Sequence, residues 1–269
     1  LSLTNFANAQ WYHTAESLFL SARYDEALIY YLRANYEAEK LSPNDDLALR
    51  IIQCHNRTGD YNKAYQMASA QPYRQLPDSV HPAYRFEAAL AAYELGNYKD
   101  ANFQFVQLRF IQPDSALHPI ALQLKIMTAI QLQDTSIAID LILLQAARCN
   151  FTDTERVHNL LDEIKETKYL NPNTANWLAV ILPGSGLIYA GNIKEGLTSA
   201  GLQISCLALT AFAVYNQLYF TGYAYGLTAL QQFYFGGIRR TATIVRQENY
   251  KRKSLLINNL IFFSSEMKF

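Results

Sequence analysis

The chain has 269 residues, no net formal charge and a hydrophobic content of 50%, which is enough for one or two domains with a proper core. The zero is a cancellation: residues 1–170 carry 15 Lys and Arg against 20 Asp and Glu, and residues 171–269 carry 8 against 3. The basic surplus follows a long uncharged stretch instead of forming a stripe, which argues against nucleic acid and for the rim of a membrane.

The N-terminus, LSLTNFANAQ, places Ala7 and Ala9 just before Gln10. An A-x-A pattern after an apolar run is the form of a secretory cleavage site. Residues 1–9 are therefore expected to be the remnant of a signal peptide, with the mature chain beginning near Gln10.

From there the sequence repeats. YDEA at Tyr24–Ala27, YNKA at Tyr61–Ala64 and YKDA at Tyr98–Ala101 are spaced 37 residues apart, and a worn fourth copy has Thr135 for the tyrosine and Ala138 for the alanine. Such a period predicts helix–turn–helix units stacked into a solenoid. Gly59 and Gly96 are expected to end the first helix of a pair through a left-handed residue. The alanine lets the paired helices approach closely, and Pro43, Pro77 and Pro113 punctuate the units. Trp11, Tyr24, Ala27, Tyr31 and Ala34 in the first unit, and Gly96, Tyr98, Ala101, Phe105 and Pro113 in the third, resemble the tetratricopeptide-repeat (TPR) pattern over residues 10–150.

That resemblance implies a concave groove, lined by the first helices, that holds a protein or peptide partner. The positions expected to face it are Tyr12, Glu16, Gln53, Asn56, Arg57, Phe86, Tyr93, Glu94, Gln123 and Gln131. Residues 151–173 then read as a closing helix and linker, with Thr152 or Asp153 as cap and Lys165 and Lys168 at the end.

Residues 174–238 read as membrane helices. Gly196 to Ile238 is uncharged throughout, enough for two crossings of lipid hydrocarbon, with a turn near Asn216–Gly222 marked by Tyr215, Tyr219, Phe220 and Tyr223. Pro183, Gly184, Gly186, Tyr189 and Gly191, with Gly196 following, resemble a small bacterial membrane module of the form P-G-x-G-x-x-Y-x-G. Pro183, Tyr189 and these glycines, together with Gly201, are expected to pack the broken segment against the hairpin. A third crossing over about 174–190, combined with basic residues inside, would leave the repeats outside the cytoplasm. A Pro-Gly segment that only dips into the membrane would keep them in the cytoplasm. Residues 239–269 predict a basic amphipathic helix suited to an anionic leaflet.

No catalytic residues are indicated. The histidines lack metal-ligand spacing, and neither a P-loop, a Rossmann fingerprint nor G-x-S-x-G occurs. Cys54, Cys149 and Cys206 are scattered without a CxxC. No cofactor, no metal, no nucleic acid and no small-molecule substrate is expected. The fold class is all-α: a TPR-like array followed by a small transmembrane helical module. The function expected is a non-enzymatic, membrane-anchored scaffold in the bacterial envelope, in the inner membrane with periplasmic repeats. The alternatives are a small transport or channel component regulated by its repeats, and a cytoplasm-facing adaptor on a two-span anchor.

Overall fold

The 37-residue spacing of the sequence reappears as geometry. In the computed structural model, which describes residues 2–38, 45–71, 80–114, 117–149, 151 and 153–266, helices α2 (Tyr24–Ala38), α4 (Tyr61–Ser69), α6 (Tyr98–Ile111) and α8 (Thr135–Arg148) each begin 37 residues after the one before. Their partners are α1 (Ser2–Leu20), α3 (Asp45–Thr58), α5 (His81–Glu94) and α7 (Pro119–Leu132). Each helix packs on the next in chain order, so the pairs form successive helical hairpins. The protein is all-helical, with no strand among the described residues.

One turn is used four times. Ala22, Gly59, Gly96 and Gln133 all adopt positive φ, at 58°, 83°, 76° and 64°. The next N–H reaches back five residues in each case: Arg23 to Leu18, Asp60 to His55, Asn97 to Ala92 and Asp134 to Ala129, at 2.8–2.9 Å. This is the six-residue hydrogen bond that closes a helix through a left-handed residue. Gly59 and Gly96 take the expected conformation; Ala22 and Gln133 take it without being glycine. One turn further on, Ala27, Ala64, Ala101 and Ala138 are fully buried, where the absence of a larger side chain lets the two arms meet.

The chain divides into two units, Leu1–His158 with Phe263–Phe269, and Asn159–Phe262. In the first, α1 runs without a break through Ala7 and Ala9. The array ends on α8, where Phe151 stacks edge-on to Phe263 at 5.1 Å and Gln145 Nε2 donates to Ser264 Oγ at 3.4 Å. Phe263 and Ser264 thus pack against the end of the last hairpin. Pro43, Pro77 and Thr152 lie outside the described residues. Asp153 caps α9 (Thr154–Glu166), accepting from Arg156 N–H at 3.1 Å.

The second unit contains α10 (Pro172–Ile181), α11 (Ser185–Tyr189), α12 (Ile193–Tyr215), α13 (Tyr219–Thr221), a π-helical turn (Gly222–Leu227) and α14 (Thr228–Glu266). Asn171 Oδ1 caps α10 at the N–H groups of Asn173 and Thr174, 2.9 and 3.3 Å. The chain then reverses at Leu182–Gly184, with Gly184 at φ +80°. Ser185 Oγ donates to the Leu178 carbonyl at 2.6 Å, and Gly186 lies against the Ala175 carbonyl, so close that a Cβ could not fit. The segment expected to cross between about 174 and 190 is instead a short hairpin. Its arms of ten and five residues reach about 15 and 8 Å at 1.5 Å per residue, against roughly 30 Å of hydrocarbon. The physical reason is that Pro183–Gly184 forms a turn, not a kink.

Among the described residues one helix, α12, is long and apolar enough to cross a membrane. Its most apolar 18-residue window has a mean hydropathy of 1.6 and is only 11% buried, the reverse of a core helix. After the turn at Asn216–Leu218, residues 219–238 are again helical and uncharged. They run back along α12, with Gly222 beside Ala213 and Gly226 against Thr210. The remainder of α14 does not form a free surface helix. Thr241, Ile244, Val245, Leu256 and Leu260 are buried, and Ile244 and Val245 share a cluster with Ala175, Leu187 and Ala190. Asn249 exchanges two 2.8 Å hydrogen bonds with the Leu170 backbone, Arg252 donates to the Lys168 carbonyl, and Asn259 Nδ2 donates to both Glu163 oxygens at 2.8 and 2.9 Å. The basic tail predicted to lie along a leaflet is held by α9, by the linker that follows it and by the start of α10.

Candidate functional site

In the repeat unit, the first helices carry a polar row that steps from one hairpin to the next. Tyr31 donates to Glu16 Oε1 at 2.7 Å. Arg50 pairs with Glu16 at 2.8 Å and donates to Gln53 Oε1 at 3.1 Å, while its guanidinium lies 4.8 Å from the centre of the Phe19 ring. Asn56 Nδ2 then donates to Glu87 Oε2 at 2.7 Å and to the Glu87 carbonyl at 3.1 Å. Burial drives this arrangement: Asn56 and Glu87 are each 5% exposed, and a polar group so placed must find a partner. Burial also raises the Glu87 carboxyl, against the Asn56 hydrogen bond, which lowers it. Burial and the Glu16 hydrogen bond raise the Tyr31 phenol, and burial pushes the Cys54 thiol up to about 12. Asn56 Oδ1 remains buried without a partner.

The ten groove candidates separate accordingly. Tyr12, Glu16, Gln53 and Asn56 are brought together in this row, where they bind one another and their neighbours. Arg57 and Glu94 are exposed, and with Gln131 they occupy one register near the ends of α3, α5 and α7, beside the hairpin turns. Tyr93 packs edge-on against Tyr98 at 5.3 Å. Phe86 and Gln123 are half-buried. Arg50 and Glu87 complete the row but are not among the sequence candidates, although a signal exists: they are 37 residues apart, two opposite charges in one repeat register on a core-facing side.

The second helices carry exposed apolar side chains in a matching register. Ile29, Leu32 and Tyr36 on α2 stand 74 residues, two repeats, before Phe103, Val106 and Phe110 on α6, and all six are exposed.

In the second unit, the expected packing residues have different tasks. Gly184 meets the Gly196 carbonyl too closely for any Cβ, and a Cβ on Gly196 would approach Ile188 Cγ1 to 2.6 Å. These two and Gly186 are true close-contact positions. Tyr189 accepts from the Asn171 N–H through its hydroxyl at 3.3 Å. Pro183 lines a cavity. Gly191 has open space around it and serves the turn at φ +84°, and Gly201 also has nothing within 4 Å. Packing is therefore not their role. At the basic end of the hairpin, Arg240 holds Glu195 through two hydrogen bonds of 3.0 and 3.1 Å. Among the described residues no group of three or more His, Cys, Asp or Glu side chains is arranged to hold a metal ion.

Compared with known families, characterised proteins and solved structures, the chain matches no family model, no curated protein and no solved structure.

Proposed function

We propose that this protein is a non-enzymatic, membrane-anchored adaptor of TPR-like build, whose helical repeats bind a protein or peptide partner on the cytoplasmic side of a bacterial inner membrane. The observation that carries the reading is the hairpin of residues 193–238, whose apolar side chains are turned outward along two uncharged helical stretches. An exposed apolar surface of this extent is suited to lipid or to a partner, and basic residues border it at one end only. Lys194, Arg239, Arg240 and Arg246 follow or precede the apolar stretches at that end, and Lys251–Lys253 extends beyond.

Support for the sidedness comes from the short hairpin α10–α11. It leaves from the same end of the unit to which it returns: Ala175 and Ala190 belong to one cluster with Ile244 and Val245, just past the basic pair. Two crossings, through α12 and residues 219–238, then keep the N-terminal and C-terminal segments on one side. The excess of Lys and Arg supports the cytoplasm as that side. This reading departs from the periplasmic repeats and the signal peptide expected from sequence, and takes up the two-span adaptor.

Protease treatment of intact spheroplasts tests it. The repeats and a tag after Phe269 are expected to survive, while a cleavage site inserted at Gln217 is cut from outside. Digestion of residues 10–170 in sealed spheroplasts overturns the reading. A crosslinker carried at Arg57 or Glu94 then captures a polypeptide partner, and its absence removes the adaptor role.

A further inference from the structure

The second unit contains a cavity of about 540 Å³, within the range of small-molecule sites. Its end is the tip of the α10–α11 hairpin, Ile181 and Pro183; its walls include Leu207 on α12 and Leu227 and Leu230 on the returning helix; Gln203 belongs to its lining. From Tyr223 to Phe235 the returning helix borders it for about 18 Å at 1.5 Å per residue. None of the residues that line it is charged.

Gln203 is the unusual member. It is 2% exposed, sits ten residues into the 23-residue α12, and donates from Nε2 to Ser199 Oγ at 3.1 Å. Its Oε1 is buried without a partner. In an apolar layer an unmatched carbonyl costs free energy on the order of kcal/mol, so the site is complete only when a donor arrives. A hydroxyl group supplies that donor, which an ether cannot.

We propose that this cavity binds one neutral, hydroxyl-bearing lipid, of the monoacylglycerol or long-chain alcohol class, with its chain along Leu207, Leu227 and Leu230 and its hydroxyl on the Gln203 amide. The uncharged lining offers a phosphate headgroup no countercharge. The long apolar wall suits a chain. The inference rests on the membrane reading of this unit, since in water a solvent molecule would serve Gln203 equally well.

The test uses the full chain in phosphatidylcholine nanodiscs with a monoacylglycerol carrying a photoreactive diazirine in its chain. Flotation with liposomes comes first: a chain that does not float overturns the membrane reading itself. For a chain that floats, labelling is expected to saturate and to map to peptides containing residues 203–207 and 227–235. Unlabelled monoacylglycerol should compete about five- to tenfold better than its fully O-methylated ether, the worth of one hydrogen bond. In Gln203→Met that preference falls below about twofold while labelling persists, and Leu207→Trp abolishes labelling by filling the cavity. The comparison of alcohol with ether in the unaltered chain decides the matter even where a variant fails to fold. Equal competition by the ether, equal competition by phosphatidylcholine, or labelling that never saturates overturns the proposal.

Discussion

Glu87 and Asn56 form a pair with one mismatch: two acceptor oxygens and a single amide donor side, with Asn56 Oδ1 left over. A proton on Glu87 would supply the missing donor, in the same direction as the raised carboxyl. Between the ordinary glutamate value and this raised value the folded state holds more proton than the unfolded one, so stability falls as pH rises through that window. Glu87→Gln carries its own N–H and is expected to raise stability by about 1 kcal/mol at neutral pH and to flatten the pH dependence there, as read by denaturant unfolding at several pH values. A loss of stability at pH 7 would mean that the charge itself is needed beside Arg57. The repeat turns give a second test. Ala22 and Gln133 adopt the left-handed conformation that costs an ordinary residue about 1–2 kcal/mol. Ala22→Gly and Gln133→Gly should each stabilise by about 0.5–1 kcal/mol, and Gly59→Ala, with open space around it, should destabilise by about 1 kcal/mol. Thermal unfolding of the three turn variants reads both signs.

At the scale of elements, the sequence was legible where one residue type recurs in one register. Tyr24, Tyr61, Tyr98 and Thr135 each begin a second helix, because the turn before them and the buried alanine three residues after them impose a local pattern. The same turn returns in the second unit. GNIKEG at Gly191–Gly196 parallels GNYKDA at Gly96–Ala101, with Gly191 at φ +84° and Asn192 N–H bonded to the Leu187 carbonyl at 2.9 Å. What sequence does not disclose is direction: an apolar stretch of about 16 residues reads alike whether it runs straight or folds back at Pro183–Gly184. The polar row was hidden for a related reason, since Glu16 meets Arg50, and Asn56 meets Glu87, only when consecutive hairpins stack. The close contacts predict a sharp ranking. Gly184→Leu or Gly226→Leu should cost at least about 2 kcal/mol, because the Gly196 carbonyl or the Thr210 side chain, with its Cα just behind, stands where the new side chain must go. Gly201→Ala should be neutral or slightly stabilising. Unfolding followed in detergent by helical circular dichroism ranks the three, and equal effects would mean that the hairpin is loosely packed.

For the molecule as a whole, the final residues matter more than their position suggests. Phe263 is 5% exposed and stacks on Phe151, so α14 ends inside the repeat unit although it begins in the apolar hairpin. Phe263→Ala should cost about 3 kcal/mol and raise hydrogen exchange first in α8, whose Gln145 bonds the neighbouring Ser264. Unchanged protection in α8 would show that the tail contributes nothing to the array. The same continuity gives the turn-back at Gly184 a meaning for biosynthesis. In a two-crossing topology, only the short turn Asn216–Leu218 and its aromatic flanks must be carried to the far side of the bilayer. No folded domain has to be exported: the repeats can finish folding where the ribosome leaves them, and the hairpin can enter the lipid afterwards as a single piece.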